Sequence, residues 1–283
     1  MTALSHPRAA TLVALRQMRY QLLIVARSRF GGFTTLAVPV LLLVALNLVS
    51  PEMTLQLLGG TPYPDFLTPA MAIFAIVNAC YVNVITATVV ARESGVLKRL
   101  RGTPLPMWAY LSGRLVAAAA VGAVATAVVV VIGIAGFGAT LPTARLGAFA
   151  AVLVLSALCL SAVGLAMSGL VRAPDSALPA AYGTMLPLAF ISDLFFPTVT
   201  APGWLRELAD WFPLAPLTRA AERTFIGAGS GFPMSGRDLV TVVVWTAGAS
   251  AIAMRFFPWQ PGDAGLRRLL AGLRPAHRGE SPW

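Results

Sequence analysis

Six long apolar runs alternate with shorter polar segments along the chain, at residues 33–49, 66–91, 115–140, 146–171, 177–196 and 239–257. A helix needs roughly 20 apolar residues to cross the hydrocarbon core of a bilayer. The first run is the shortest, with 17 residues. Inside all six, the ionisable side chains are Asp193 and Arg255, each near an end. The pattern predicts an all-α, polytopic membrane protein with six transmembrane helices.

The segments outside the runs differ in kind. Residues 1–32 hold no proline or glycine between Arg8 and Phe30, and Gly31-Gly32 is expected to end that stretch. Leu15, Met18, Leu22 and Val25 fall on one helical face, with Arg16, Gln17, Tyr20, Gln21 and Arg27 on the other. That pattern suits a helix lying in the cytoplasmic interface, although a plain basic flank would also carry these charges. Some 30 residues precede the first apolar run, and no A-x-A site follows it, so a cleaved signal peptide is not expected. The six-span body is thus 33–257, and 258–283, rich in proline and glycine, reads as a tail.

Composition supports the membrane class. Hydrophobic residues make up 57% of the 283 and charged residues only 11%, against roughly 25% charged in a soluble domain. Thirty-two charged residues cannot coat a soluble fold of this size. Cys80 and Cys159 lie inside apolar runs, which excludes a disulfide scaffold. The net charge of +10 raises the question of nucleic acid, but the basic residues fall between apolar runs and form no soluble basic face.

Their distribution sets orientation instead. Arg8, Arg16, Arg19, Arg27 and Arg29 precede the first run, and none lies between the first and second. Arg92, Lys98, Arg99, Arg101 and Arg114 follow the second, and five more arginines begin at Arg255. Alternate segments carry sixteen basic residues against five. The positive-inside rule places both termini in the cytoplasm, in a cell membrane whose anionic lipids meet the arginines.

The segment after the second run reads RESGVLKRLRGTPLPMWAYLSGRL from Arg92. A helix-permitting stretch from Glu93 is stopped by Gly102, Thr103 and Pro104, and Trp108 and Tyr110 are expected interface anchors for span three. A short charged helix between two spans can receive force from a soluble partner. The segment resembles the cytoplasmic loop of type-2 ABC-exporter permeases, through Glu93, Gly95, Leu97, Leu100, Thr103, Pro104, Gly113 and Arg114 in order. The resemblance implies a coupling helix seated on an ATPase subunit, with Lys98 and Arg99 inside it.

A second match runs from Phe190 to Gly227. Ser192, Phe196, Pro197, Pro202, Gly203, Trp204, Leu205, Pro213, Pro216, Leu217 and Thr218 take the family's places. Asp193 stands where the family more often has glycine, so no role is carried over to it. The resemblance implies short re-entrant helices capping the outer mouth, with Asp193 and these prolines at a gate. Broken backbone at membrane depth is tolerated only where protein or a water-filled cavity covers it.

An exporter needs an energy source. The only lysine, Lys98, is followed by Arg99, whereas a phosphate-binding G-x-x-x-x-G-K-[ST] loop requires Ser or Thr there. No cofactor or metal is expected in this chain; ATP and Mg would be bound by a partner ATPase. Proton- or sodium-driven carriers hold several ionisable groups within their spans, and Asp193 is the lone candidate. No catalytic residues are assigned, because the spans offer no convergent pair of polar groups for acid–base or metal chemistry. A passive channel or an uncoupled secondary transporter is the alternative reading.

Span two carries Asn78, Asn83, Thr86 and Thr88, which either join helices or line a cavity. Gly164 and Ser168 form a small-x-x-x-small step suited to close packing. The expected partners are an ABC ATPase, a second permease (a copy or a homologue) and membrane lipids, with an amphipathic, lipid-like or drug substrate.

The charge asymmetry makes the orientation testable. In a cysteine-free background, cysteines at Gly60 and Ser230 should label with an impermeant reagent added to intact cells. Those at Ser94 and Ser281 should label only after the membrane is opened. Labelling of Ser94 from outside would reverse the topology.

Overall fold

The computed structural model describes residues 29–49, 54–55, 60–96, 99, 107–198, 201–227 and 231–256. The proposed interfacial helix before residue 29 and the tail beyond 256 lie outside the described residues. Among the described residues nine α-helices dominate: α1 (Arg29–Val49), α2 (Tyr63–Ile76), α3 (Asn83–Glu93), α4 (Met107–Phe137), α5 (Leu146–Ser168), α6 (Pro174–Phe190), α7 (Gly203–Asp210), α8 (Leu214–Ile226) and α9 (Gly236–Phe256). A π-helical segment, Val77–Val82, joins α2 to α3 without a break in direction. Before α2, a two-residue antiparallel ladder pairs Thr54 with Pro62 and Leu55 with Thr61.

By length and composition four stretches among the described residues suffice to cross a membrane: Tyr63–Glu93, Ser112–Phe137, Thr143–Ser168 and Gly236–Arg255. Thr35–Val49 is a shorter apolar helix. The chain is thus a polytopic, all-helical membrane protein.

Two boundaries differ from the sequence expectation. Helix α1 runs through Gly31 and Gly32 instead of starting after them; a glycine inside a helix costs only about 1 kcal/mol relative to alanine, which need not end it. The fifth apolar run predicts helix to residue 196, but α6 stops at Phe190. Residues 191–196 form a turn that apolar composition cannot reveal.

Local chemistry sets the other ends. Pro64 occupies the first turn of α2, where no amide partner is lost, and Asp65 lies beside the positive end of its dipole. Asp65 Oδ1 also accepts from the Thr140 amide at 2.5 Å, tying the start of α2 to the end of α4. There Gly138 takes φ +74°, and Ala139 N–H donates back to Gly133 O at 3.0 Å. This is a left-handed helix stop of the kind glycine favours.

The stretch Tyr63–Glu93 forms the centre of the molecule. In its most apolar part 78% is buried, against 22% for α9. Helices α1, α4, α5, α6 and α8 all pack on it, while α9 packs on α5 and α8. Phe66, Phe74, Met71, Ile73, Ile76 and Ile85 fill the core. Gly164 of α5 lets that helix approach the π segment: a Cβ there would sit 3.1 Å from Tyr81 O and 3.2 Å from Cys80 O. The small-x-x-x-small step is therefore a backbone contact, as its composition suggests.

Candidate functional site

The first candidate site begins where α3 ends. Ser94 N–H donates to Val90 O at 2.9 Å and Gly95 N–H to Arg92 O at 3.1 Å, closing the helix at Glu93. Gly95 has φ +72°, a conformation that side chains with a Cβ rarely adopt, and the chain swings away there. Arg99 N–H then donates to Gly95 O at 3.1 Å, a four-residue step that restarts helical geometry. Glu93 is exposed at this corner, its Oε1 3.5 Å from Arg92 Nε. Leu97, Lys98, Leu100, Thr103 and Pro104 lie outside the described residues.

Arg92, which by sequence alone reads as a topogenic charge, has a second role in the fold. It is buried, 3% exposed. Its Nη1 donates to Ser168 O at 3.1 Å, and Nη2 to Val171 O at 2.6 Å and Arg172 O at 3.2 Å. These carbonyls end α5 and lead into α6, where no amide of the next turn is available to them. A guanidinium suits that cluster because its planar donors reach several acceptors at once and its charge faces the negative end of the α5 dipole. The sequence holds one hint: Arg92 directly follows an uncharged run of 26 residues.

At the other end, the turn after α6 is organised by Asp193. It has φ +58° and is the one non-glycine with positive φ among the described residues. Aspartate tolerates this conformation when its side chain finds a local partner. Here Oδ1 accepts from Thr198 N–H at 2.5 Å and from Thr198 Oγ1–H at 2.6 Å. Glycine, the residue that the resemblance leads one to expect at this place, would adopt the same left-handed backbone without strain.

Arg219 of α8 lies across from Asp193, with Nε 4.0 Å from Oδ2, while its Nη2 donates to Asp210 of α7. Pro202 immediately precedes α7, Pro213 precedes α8, and Pro216 occupies the first turn of α8, all positions where a missing amide costs little. Pro197 is half-buried and Trp204 is exposed, whereas Thr218 is buried and donates to Leu214 O at 3.0 Å. Helix α8 is itself largely buried, packing on α2, α5 and α9.

Glu222 belongs to this cluster, although in the sequence it reads only as a charge balancing nearby arginines. It is buried on α8, and its Oε1 has no hydrogen-bond partner among the described residues. Both neighbouring arginines are engaged elsewhere. Arg219 faces Asp193 and Asp210, and Arg223 Nη1 donates to Pro233 O at 3.1 Å and to Asp238 Oδ2 at 3.4 Å. Burial foremost, and the charge of Asp193 next, push the Glu222 carboxyl well above the ordinary carboxylate range, with Arg219 and Arg223 pulling the other way.

Of the polar residues singled out in span two, Asn78 reaches another helix, whereas Thr86 and Thr88 donate to Val82 O at 3.0 Å and Val84 O at 2.5 Å within their own helical stretch. Asn78 Nδ2–H donates to Phe74 O at 2.8 Å, and Tyr182 Oη–H of α6 donates to Asn78 Oδ1 at 2.6 Å. Tyr81 Oη lies 2.7 Å from Thr184 Oγ1 on the same helix. Asn83 is half-buried just beyond the π segment. Two apolar cavities of about 280 Å³ lie elsewhere, one between α4 and α5 beside Ile76 and one between α5 and α9. Asn78 and Asn83 line neither.

The Glu222 environment has a signed consequence. The folded chain holds this proton more tightly than the unfolded chain, so the contribution to stability is complete in acid and is lost as pH rises through the elevated folded value. The stability of wild type relative to Glu222→Gln should therefore fall as pH rises above the ordinary carboxylate range. Thermal unfolding of both proteins in one detergent measures it, and parallel pH profiles would contradict the assignment.

Comparison with known proteins extends this picture across the chain. The sequence model of the ABC-2 type transporter membrane family matches residues 16–225, from before α1 into the last turn of α8. "Probable multidrug ABC transporter permease YbhR" of Escherichia coli K12 is 27% identical over 196 residues, covering 68% of this chain and 52% of that protein. The protein of the same name in Escherichia coli O157:H7 matches equally. The chain therefore spans about half the length of the curated relatives it matches. With more than half of its residues within the family match, the chain belongs to the ABC-2 type transporter family of membrane proteins.

Proposed function

We propose that this chain is the permease subunit of an ATP-driven exporter. Family membership across residues 16–225 carries the reading, since that match includes both the loop at Glu93 and the cluster around Asp193 and Arg219. The relatives' name, a probable multidrug ABC transporter permease, supports export of an amphipathic, lipid-like or drug solute. The solute leaves the cytoplasm or the inner leaflet.

On this reading six helices span the cell membrane with both termini in the cytoplasm. Helices α1 and α6 complete the set, α6 being the shorter with 17 residues. Two permeases sit on two ATPases, which bind ATP and Mg. The loop from Glu93 through Pro104, with Gly95, Leu97, Lys98, Arg99, Leu100 and Thr103, meets the ATPase. Helices α7 and α8 form the outer cap, in which the Asp193–Arg219–Asp210 contacts hold the mouth shut. ATP-driven closure of the partners moves the loop, and the spans alternate between inward and outward openings. The partner must bind the two states with different affinity for this to occur.

Glu93→Ala tests the loop without disturbing the basic residues that set orientation, since acidic side chains contribute little to topology. Truncating one member of a buried, charge-assisted pair at an interface costs about 2–5 kcal/mol. The variant should insert normally, yet lose most of its hold on the ATPase in pull-down and most export from the same cells. Normal pull-down with normal export would reduce the loop to an anchor.

A further inference from the structure

The coupling loop must move something within the membrane, and the ion-pair partner of Glu93 among the described residues is Arg92. Arg92 is one residue from the corner and is buried at the cytoplasmic end of Tyr63–Glu93. Its guanidinium spans a sequence separation of 76 to 80 residues to reach three carbonyls. One belongs to the last residue of α5, and the other two to the turn that starts α6. Gly169 N–H and Leu170 N–H turn back to Ala166 O and Met167 O, so this turn is tightly wound where Arg92 grips it.

A second tie between the same elements stands further along. Tyr182 on Asn78 and Tyr81 on Thr184 join the π segment to α6. Span two and α6 are thus fastened at two levels, by hydroxyl and amide bonds within the span and by a guanidinium at its cytoplasmic end. Only the second fastening is adjacent to the loop.

We infer that Arg92 is the positioning residue that carries motion of the Glu93 loop into the α5–α6 turn, so that α3, the end of α5 and the start of α6 move as one body. The inference rests on the coupling reading above. Three converging carbonyls next to the loop corner give this side chain a mechanical connection to the α5–α6 turn. Lysine at this position keeps the positive charge that topology uses, but as a compact point charge it cannot span the three acceptors as a planar fork does.

The experiment uses the complex captured with its ATPase from the native membrane. The chain carries Cys80→Ala and Cys159→Ala with one added cysteine, Ser94→Cys in the loop or Ala173→Cys in the turn; both native residues are exposed. Labelling rates with a maleimide dye are compared with and without Mg-ATP. With Arg92 present, both positions should change rate by about fivefold or more. With Arg92→Lys, the ATPase should stay bound and Ser94→Cys should still respond, while the response at Ala173→Cys disappears. Arg92→Gln, which can still donate to one carbonyl, replaces the lysine variant if that one does not assemble, with the same expected split. A response at Ala173→Cys that survives substitution, or loss of both responses together, would overturn the inference. If neither position responds when Arg92 is intact, the coupling reading itself fails and takes the inference with it.

Discussion

The helix from Tyr63 to Glu93 is buried along most of its length, so its polar groups must find partners within the protein rather than in water. That constraint shapes its surroundings. Asp65 meets the end of α4, Asn78 and Tyr81 meet α6, and Arg92 meets the end of α5. Each connection sits at a different level of the helix. Removing one partner of such a pair leaves a buried group unsatisfied, at a cost of about 1–3 kcal/mol, so these polar contacts define which neighbours share a face of the central helix.

Close approach of backbones does the rest. Gly164 brings α5 within van der Waals reach of the carbonyls of Cys80 and Tyr81, where the π segment widens the central helix. Gly122 of α4 approaches from another side, and a Cβ there would lie 2.9 Å from Ile76 Cδ1. In a bilayer apolar side chains gain little by leaving lipid for protein, so packing at small residues and hydrogen bonds between helices carry association. The cluster around Asp193 and Arg219 follows a related logic. Three carboxylates, Asp193, Asp210 and Asp238, engage Arg219 and Arg223, leaving the Glu222 Oε1 without a partner among the described residues.

Much of this is legible in the sequence because a bilayer enforces length. The apolar runs mark the helices, and the Pro-Gly-Trp-Leu step falls where α7 begins. Other features leave no such trace. The 177–196 run stays apolar through Phe196, so hydropathy cannot register the turn that Asp193 imposes after Phe190. The π segment Val77–Val82 is compositionally ordinary. Arg92 and Glu222 look like a topogenic flank and a balancing surface charge, because burial depends on residues about 80 positions away for Arg92 and on the folding of α8 for Glu222. Asp193 is visible as an anomaly, and its partner Arg219 lies among the arginines nearby.

Whether a separate ATPase moves this chain is tested most directly by what the chain brings with it from its own membrane. Mild solubilisation, affinity capture of the tagged chain and identification of co-purifying proteins at fixed stoichiometry supply the measurement. The expected result is an ATPase carrying a phosphate-binding loop, in equal numbers with the permeases, and ATP hydrolysis by the captured assembly. A chain recovered without any ATPase, yet able to pass solute down its gradient in reconstituted vesicles, would contradict ATP-driven export.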